Sequence, residues 1–399
     1  MQSSFFRTAL VLGLLSAIGP FAIDMYLPAL PSIGLSLGAS MNAVQATLMV
    51  FFVSMGIGQI IYGPLSDMMG RKVPLYFGLV VFAIGSIGCA LAPDIRMLVV
   101  FRFIQGLGAC AGMVVPRAVV RDLYTGSDAA RLMSRLMLVF SISPILAPLV
   151  GSVLIEWAGW RSVFWVVTVF AILGLALLFA SFSETRPPAQ RVDSSLRSAF
   201  AAYSVLLRDR KFLRVVFVGA FGIASFFAYL ANSSFVLINH YGLTPRQYSI
   251  TFAANAASFI GVSQLTGLLG KRFGLVTVVK VAVNGYAAVM ALLLTLNLLG
   301  IDRLDVLIAL LFLGYGFLGL VTPITAVLAL EEQGAIAGTA SALMGTVQFM
   351  LGAVVVGLVG MLVDGTARPM IMGITVCSAM ACLLARGPLR SAHRTELRS

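Results

Sequence analysis

Apolar stretches recur along the whole chain, each closed by a short polar turn. Their spacing predicts helices at 6–30, 42–64, 74–92, 96–119, 132–155 and 161–182, and again at 212–238, 247–269, 275–298, 304–329, 337–362 and 368–385. About 20 apolar residues carry a helix across a bilayer, so each stretch is long enough to span. No segment of soluble-domain size is left between them. The expected fold class is an all-α membrane protein with twelve transmembrane helices in two pseudo-symmetric six-helix bundles. The first apolar run is too long for a secretory leader, lacks a cleavage site and contains Asp24, so it reads as an uncleaved first helix.

Polar turns divide the pattern in two. Residues 63–74 read Gly-Pro-Leu-Ser-Asp-Met-Met-Gly-Arg-Lys-Val-Pro, and 267–274 read Gly-Leu-Leu-Gly-Lys-Arg-Phe-Gly. Both keep two glycines seven residues apart, and the copies lie 204 positions apart. A membrane chain built as two similar halves is a transporter design. The predicted organisation is a bundle over 1–183, a middle loop over 184–211, a second bundle over 212–386 and a tail over 387–399. The middle loop opens with Glu184-Thr-Arg-Pro187-Pro188, which stops a helix. Residues 196–211 have some amphipathic character and suit the membrane surface. A plain linker is the other reading.

Composition agrees: 60% of residues are hydrophobic, 11% are charged and mean hydropathy is +1.01. The net charge of +12 would suggest nucleic acid in a soluble protein, but its distribution excludes that partner. One set of loops carries Arg7; Arg71 and Lys72; Arg121, Arg131 and Arg135; Lys271 and Arg272; and Arg386, Arg390, Arg394 and Arg398. The middle loop adds Arg186, Arg191, Arg197, Arg208, Arg210 and Lys211. The opposite loops carry only Arg96, Arg161, Arg246, Arg303 and Arg368. The basic side is expected to be cytoplasmic, with both termini and the middle loop there. Cys89, Cys110, Cys377 and Cys382 lie in apolar spans without metal-ligand spacing and read as small packing residues. No metal or other cofactor is expected.

The turn at 63–72, with Gly63, Asp67, Gly70, Arg71 and Lys72, resembles the signature between helices 2 and 3 of the major facilitator superfamily. Met68 stands where that family often has a basic residue. The resemblance covers essentially the whole chain and implies that family's fold. Glycines there permit tight turns and close helix approach, and Asp67 can pair with a basic neighbour, so the turn reads as a conformational latch. Lys271 replaces the acid in the second copy, which predicts a weaker or differently wired latch there. The fourth span, Phe-Arg102-Phe-Ile-Gln105-Gly106-Leu-Gly108 with Gly112, resembles the family's fourth-helix motif. An arginine within a span should face the protein interior with a partner, unless it snorkels from near a helix end. The fifth span, with Pro144, Pro148 and Gly151, resembles the motif that marks drug exporters in this superfamily, although Ala147 and Ser152 stand where glycines are common. Its small residues and prolines suit a hinge or an ion-tight seam between the halves. The first span ends Ala22-Ile-Asp24-Met-Tyr26-Leu-Pro28, and this combination resembles the bicyclomycin/chloramphenicol-resistance (Bcr/CflA) branch of drug/proton antiporters.

That resemblance implies efflux of amphipathic drugs across the bacterial inner membrane, driven by the proton gradient. Asp24 is the acid placed deepest in any span, and it is expected to exchange proton for drug with Arg102 modulating it. An alternative places Asp24 near the outer headgroups, capping the turn at Pro28 and Pro31. Ser16, two turns earlier, is not acidic, which argues against coupling through two acids. Tyr26, Phe227, Tyr229, Asn232, Asn255, Gln264, Tyr315 and Gln348 are the candidate substrate contacts in an otherwise apolar lining. The expected partners are a small-molecule drug, protons and the lipid bilayer, and a monomer suffices. A transporter of a sugar, amino acid or nucleoside is the alternative, disfavoured because the spans offer few convergent polar groups. A membrane enzyme or receptor lacks support, since His240 and His393 lie in a loop and the tail and no reactive cluster is evident. A channel fits the two-half design less well than alternating access does.

Overall fold

A computed structural model describes residues 2–123, 126–187, 196–333 and 336–387. Among them no strand occurs, and twelve helical spans are long and apolar enough to cross a membrane. The chain divides into two compact units, Met1–Ala199 and Phe200–Ser399, each holding six of these spans.

The first unit contains α1 (Gln2–Asp24), α2 (Leu30–Leu37), α3 (Met41–Met69), α4 (Lys72–Leu91), α5 (Ile95–Leu123), α6 (Gly126–Ala158) and α7 (Arg161–Ser181). The first span is not the single helix expected over 6–30. α1 stops at Asp24, a 3-10 turn fills Leu27–Ala29 with Pro28 near its start, and α2 restarts at Leu30 with Pro31 in its first turn. A proline lacks the N–H that would continue the ladder, so the break falls where sequence analysis placed Asp24 mid-span. α5 packs most closely on α3 and α4, and α1 on α6. The α4–α5 contact is backbone-close: a Cβ at Gly108 would lie 2.3 Å from the Phe82 nitrogen.

α8 (Leu196–Arg208) crosses the division, and the second unit goes on with α9 (Arg210–Ser234), α10 (Pro245–Ser263), α11 (Thr266–Phe273), α12 (Leu275–Leu298), α13 (Leu304–Leu330), α14 (Ala337–Met361) and α15 (Arg368–Ala385). Residues 196–208 of the middle segment are helical in α8, and Asp209 caps α9 by accepting from Lys211 N at 2.9 Å and Phe212 N at 3.1 Å. Thr244 and Gln247 form a capping box that starts α10 behind Pro245. α9 runs into a π-helical turn, Phe235–His240. The span expected over 247–269 breaks between α10 and α11. Pro188 and Arg191 of the middle loop, and Arg390, Arg394 and Arg398 of the tail, lie outside the described residues. Outward-facing apolar side chains such as Phe77, Ile84, Phe179, Val281 and Leu358 would meet lipid.

Candidate functional site

Asp24 closes α1 and is 5% exposed. The Ser143 hydroxyl of α6 donates to its Oδ2 at 3.3 Å. No side-chain cap bonds the turns that begin at Tyr26 and Ala29, so the capping role considered for Asp24 is absent there. α6 approaches because Gly151 has no side chain: a Cβ there would sit 2.3 Å from the Met25 carbonyl oxygen. The motif's prolines, Pro144 and Pro148, lie inside α6. The close contact that Gly151 makes is thus on the chain just after α1, within the first unit.

Arg102 on α5 is fully buried, which removes the snorkelling reading. Its Nη1 donates to Gln105 Oε1 at 2.6 Å and to the Ala22 carbonyl at 3.3 Å. Its guanidinium carbon lies 4.4 Å from the Tyr26 ring centroid and 4.2 Å from that of Phe51. Gln105 Nε2 in turn donates to Ser86 Oγ on α4 at 2.8 Å, and Ser86 donates to the Phe82 carbonyl. The Tyr26 hydroxyl pairs with Thr47 Oγ1 at 2.8 Å. Asp24, Tyr26 and Arg102 therefore share one buried neighbourhood. Arg102 and Asp24 form no ion pair: the acid is bonded to Ser143, and the Nε and Nη2 atoms of Arg102 have no hydrogen-bond partner. Ser86 and Thr47 were not singled out from the sequence. A polar residue inside an apolar span is the only signal that marks them.

The turn at 63–72 is shorter than its polarity suggests. α3 continues to Met69, and only Gly70 and Arg71 stand between it and α4. Gly70 has φ +88°, which requires glycine. Gly63 sits inside α3 with nothing within 4 Å of a Cβ, so it makes no close helix approach. Arg71 is the hub. It donates to Asp122 through Nε at 2.7 Å and Nη2 at 3.0 Å, and through Nη1 to Ser66 and Asp67 at 2.8 Å each. Glu184 accepts from the backbone N–H of Arg71 and Lys72 at 2.8 and 3.1 Å, capping α4 from 113 and 112 residues away. Arg186 reaches Asp67 at 2.7 Å and Thr185 donates to Asp122 at 3.1 Å. Lys72 contributes its backbone but no side-chain bond. Asp122, Glu184 and Arg186 complete a network that no local motif announces.

The remaining candidates fall into separate contacts within each unit. Tyr26 belongs to the Arg102 neighbourhood. In the second unit, Asn255 Nδ2 donates to the Tyr229 hydroxyl at 3.0 Å, and Tyr229 stacks on Phe252 and leans on Tyr315, with centroids 5.6 and 5.2 Å away. Tyr286, missed from the sequence, joins them through Ser225 at 2.7 Å and its ring contact with Tyr315. Phe227 stacks instead on Phe349, and a Cβ at Gly352 would meet its ring at 2.1 Å. Asn232 turns back to the Ala228 carbonyl. Gln264 is exposed at the end of α10, and Gln348 is half-buried on α14. Apolar periodicity placed these residues in spans but not on common faces.

A family model described as Major Facilitator Superfamily matches residues 12–357. An uncharacterised MFS-type transporter of Bacillus subtilis is 37% identical over 91% of this chain and 90% of its own length. A bicyclomycin resistance protein homolog of Haemophilus influenzae is 30% identical over 96% of each chain. A chloramphenicol resistance protein of Pseudomonas aeruginosa is 29% identical over 90% of this chain and 84% of its own. The crystal structure of a D-xylose–proton symporter, 19% identical, superposes with a TM-score of 0.73 over 96% of each chain, a likeness of fold.

Proposed function

The chain belongs to the major facilitator superfamily, with relatives in its bicyclomycin- and chloramphenicol-resistance branch, and on that premise we propose that it exports amphipathic drugs in exchange for protons. It is a multi-pass membrane protein of a transporter family. The observation that carries the finer reading is Asp24: a carboxylate buried at the break of the first span, held by one hydroxyl and two residues along the chain from the Ala22 carbonyl that buried Arg102 binds. A carboxylate screened from water is easily neutralised, which is what a proton carrier requires. In this scheme ionised Asp24 accepts a cationic or hydrogen-bonding drug from the cytoplasm. A proton takes the drug's place on the outer side, and the neutral carboxyl permits return. The Arg71 network acts as a latch for one conformation. Energy comes from the proton gradient of a bacterial inner membrane, both termini are cytoplasmic, and a monomer suffices.

The test is drug-driven proton movement in proteoliposomes, wild type against Asp24→Asn, with chloramphenicol-like and bicyclomycin-like compounds. Exchange is expected in the wild type and absent in the variant, while drug binding persists. Coupling that survives the substitution removes Asp24 from the mechanism. Absence of proton movement with every drug favours the metabolite transporter.

A further inference from the structure

The proton-exchange scheme uses the charge of Arg102 but not its geometry. A guanidinium carries five N–H donors. Nη1 is engaged by Gln105 and the Ala22 carbonyl, whereas Nε and Nη2 meet no acceptor although the side chain is fully buried. The two free atoms form one edge, with parallel N–H bonds spaced to match the two oxygens of a carboxylate. The rings of Tyr26 and Phe51, 4.4 and 4.2 Å from the guanidinium carbon, attract the cation but accept none of these in-plane bonds. Among the described residues no carboxylate lies within 4 Å of it, and Asp24 is turned to Ser143. A buried cation with an unfilled fork is costly unless a partner arrives. The fork is also held in place: Gln105 fixes Nη1, and Ser86 fixes Gln105.

We propose that the open Nε–Nη2 edge of Arg102 is a receptor for a carboxylate on the transported molecule, with Gln105 and Ser86 as positioning residues. This rests on the reading of the chain as a small-molecule transporter, and it adds to the proposed drugs a class of molecules that pair an aromatic or apolar body with a carboxylate. Burial means that Tyr26 or Phe51 must swing aside to admit the ligand. Asp24 could supply the same chemistry from within the protein, so the test separates the two sources.

Equilibrium binding of radiolabelled benzoate and benzamide is measured on the purified full-length chain in lipid nanodiscs, without a proton gradient. Benzoate is expected to bind at least about tenfold tighter than benzamide, in wild type and Asp24→Asn alike. Arg102→Lys keeps the charge but not the fork, and should abolish the preference. Ser86→Ala should reduce the preference by about threefold while benzamide binding and the melting midpoint stay unchanged. Equal binding of the two probes by the wild type overturns the proposal, as does a preference that survives Arg102→Lys. Benzoate binding that emerges only in Asp24→Asn also overturns it, because the edge then serves the protein's own acid. Failure of drug–proton exchange in proteoliposomes would leave this binding result intact, so the two readings fail separately.

Discussion

Arg71 has a side chain only 2% exposed and satisfies it on two helices, through Ser66 and Asp67 on α3 and Asp122 on α5, while Glu184 after α7 holds its backbone. Burial works against its charge, but the hydrogen bonds and charges of Asp122 and Asp67 outweigh that and hold the cation above its usual value. Removing Asp122 leaves a buried cation half-paired, so Asp122→Ala should cost about 3 kcal/mol in detergent melting. Arg71→Lys should cost about 2 kcal/mol, because an ammonium cannot reproduce the fork. Lys72→Ala, whose side chain bonds nothing, should change the midpoint little. The spacing of Asp67 and Arg71 made the first half of this pairing legible. Asp122 and Glu184 arrive through tertiary structure, which one sequence does not disclose. The same holds for Asp302, which reads as an ordinary helix-end acid but accepts from the Tyr241 hydroxyl and meets His240 Nε2 at 2.7 Å. Partial burial pushes its carboxyl up, and the bonds from Tyr241 and His240 with the charge of Arg368 more than reverse this, to below its ordinary 3.8. A depressed folded-state value stabilises above the unfolded value and loses that contribution as pH falls through the folded one. The melting difference between wild type and Asp302→Asn should therefore be full at pH 5–7 and decay only below about pH 3.8. A difference already lost at pH 5 would contradict this tie.

At the level of elements, apolar run length located the spans well, and two boundaries, 275–298 and 368–385, coincide with α12 and α15. The misses run both ways: helices break inside the apolar runs at 24–30 and 263–266, and elsewhere they keep turning after hydropathy falls. α3 runs through the polar stretch Gly63–Met69 because only Gly70 demands a left-handed backbone. Glycines that look alike in the sequence therefore differ in consequence. Gly108→Ala would drive a methyl group into the backbone of α4, 2.3 Å from Phe82 N and 2.5 Å from the Gly78 carbonyl oxygen. Backbone cannot step aside as a rotamer can, so the change should cost at least about 2–3 kcal/mol or abolish folded yield. Gly63→Ala meets open space inside a helix and should stabilise by about 0.5–1 kcal/mol, despite its place in the family signature. Melting midpoints of the two variants, compared with wild type, check both signs. A destabilising Gly63→Ala would mean that the signature glycine is needed in a conformation other than this one.

For the whole molecule, the repeat of the polar turn 204 residues on made the two-part plan legible, and each unit does hold six spans. The repeat is geometric rather than chemical. Gly274 turns the chain with φ +78° as Gly70 does, yet Lys271 and Arg272 are exposed and make no ion pair among the described residues. Charge instead carries the orientation, and here the chain is lopsided: the middle segment alone has Arg186, Arg191, Arg197, Arg208, Arg210 and Lys211, whereas turns on the other side carry single arginines such as Arg96 and Arg303. Basic residues close to span ends resist translocation, which should keep them on the cytoplasmic face. Fluorescent-protein fusions after Arg186 and Gly387 should therefore light up, with phosphatase fusions at the same points inactive. Fusions in the turns at 92–94 and 299–303 should behave in the opposite way. Even spacing of the spans means that one reversed turn would shift every later one, so the four sites test the span count as well as the orientation. Agreement at 186 but reversal at 387 would mean that the second unit holds an odd number of spans in the membrane, and the two-part plan would fail with it.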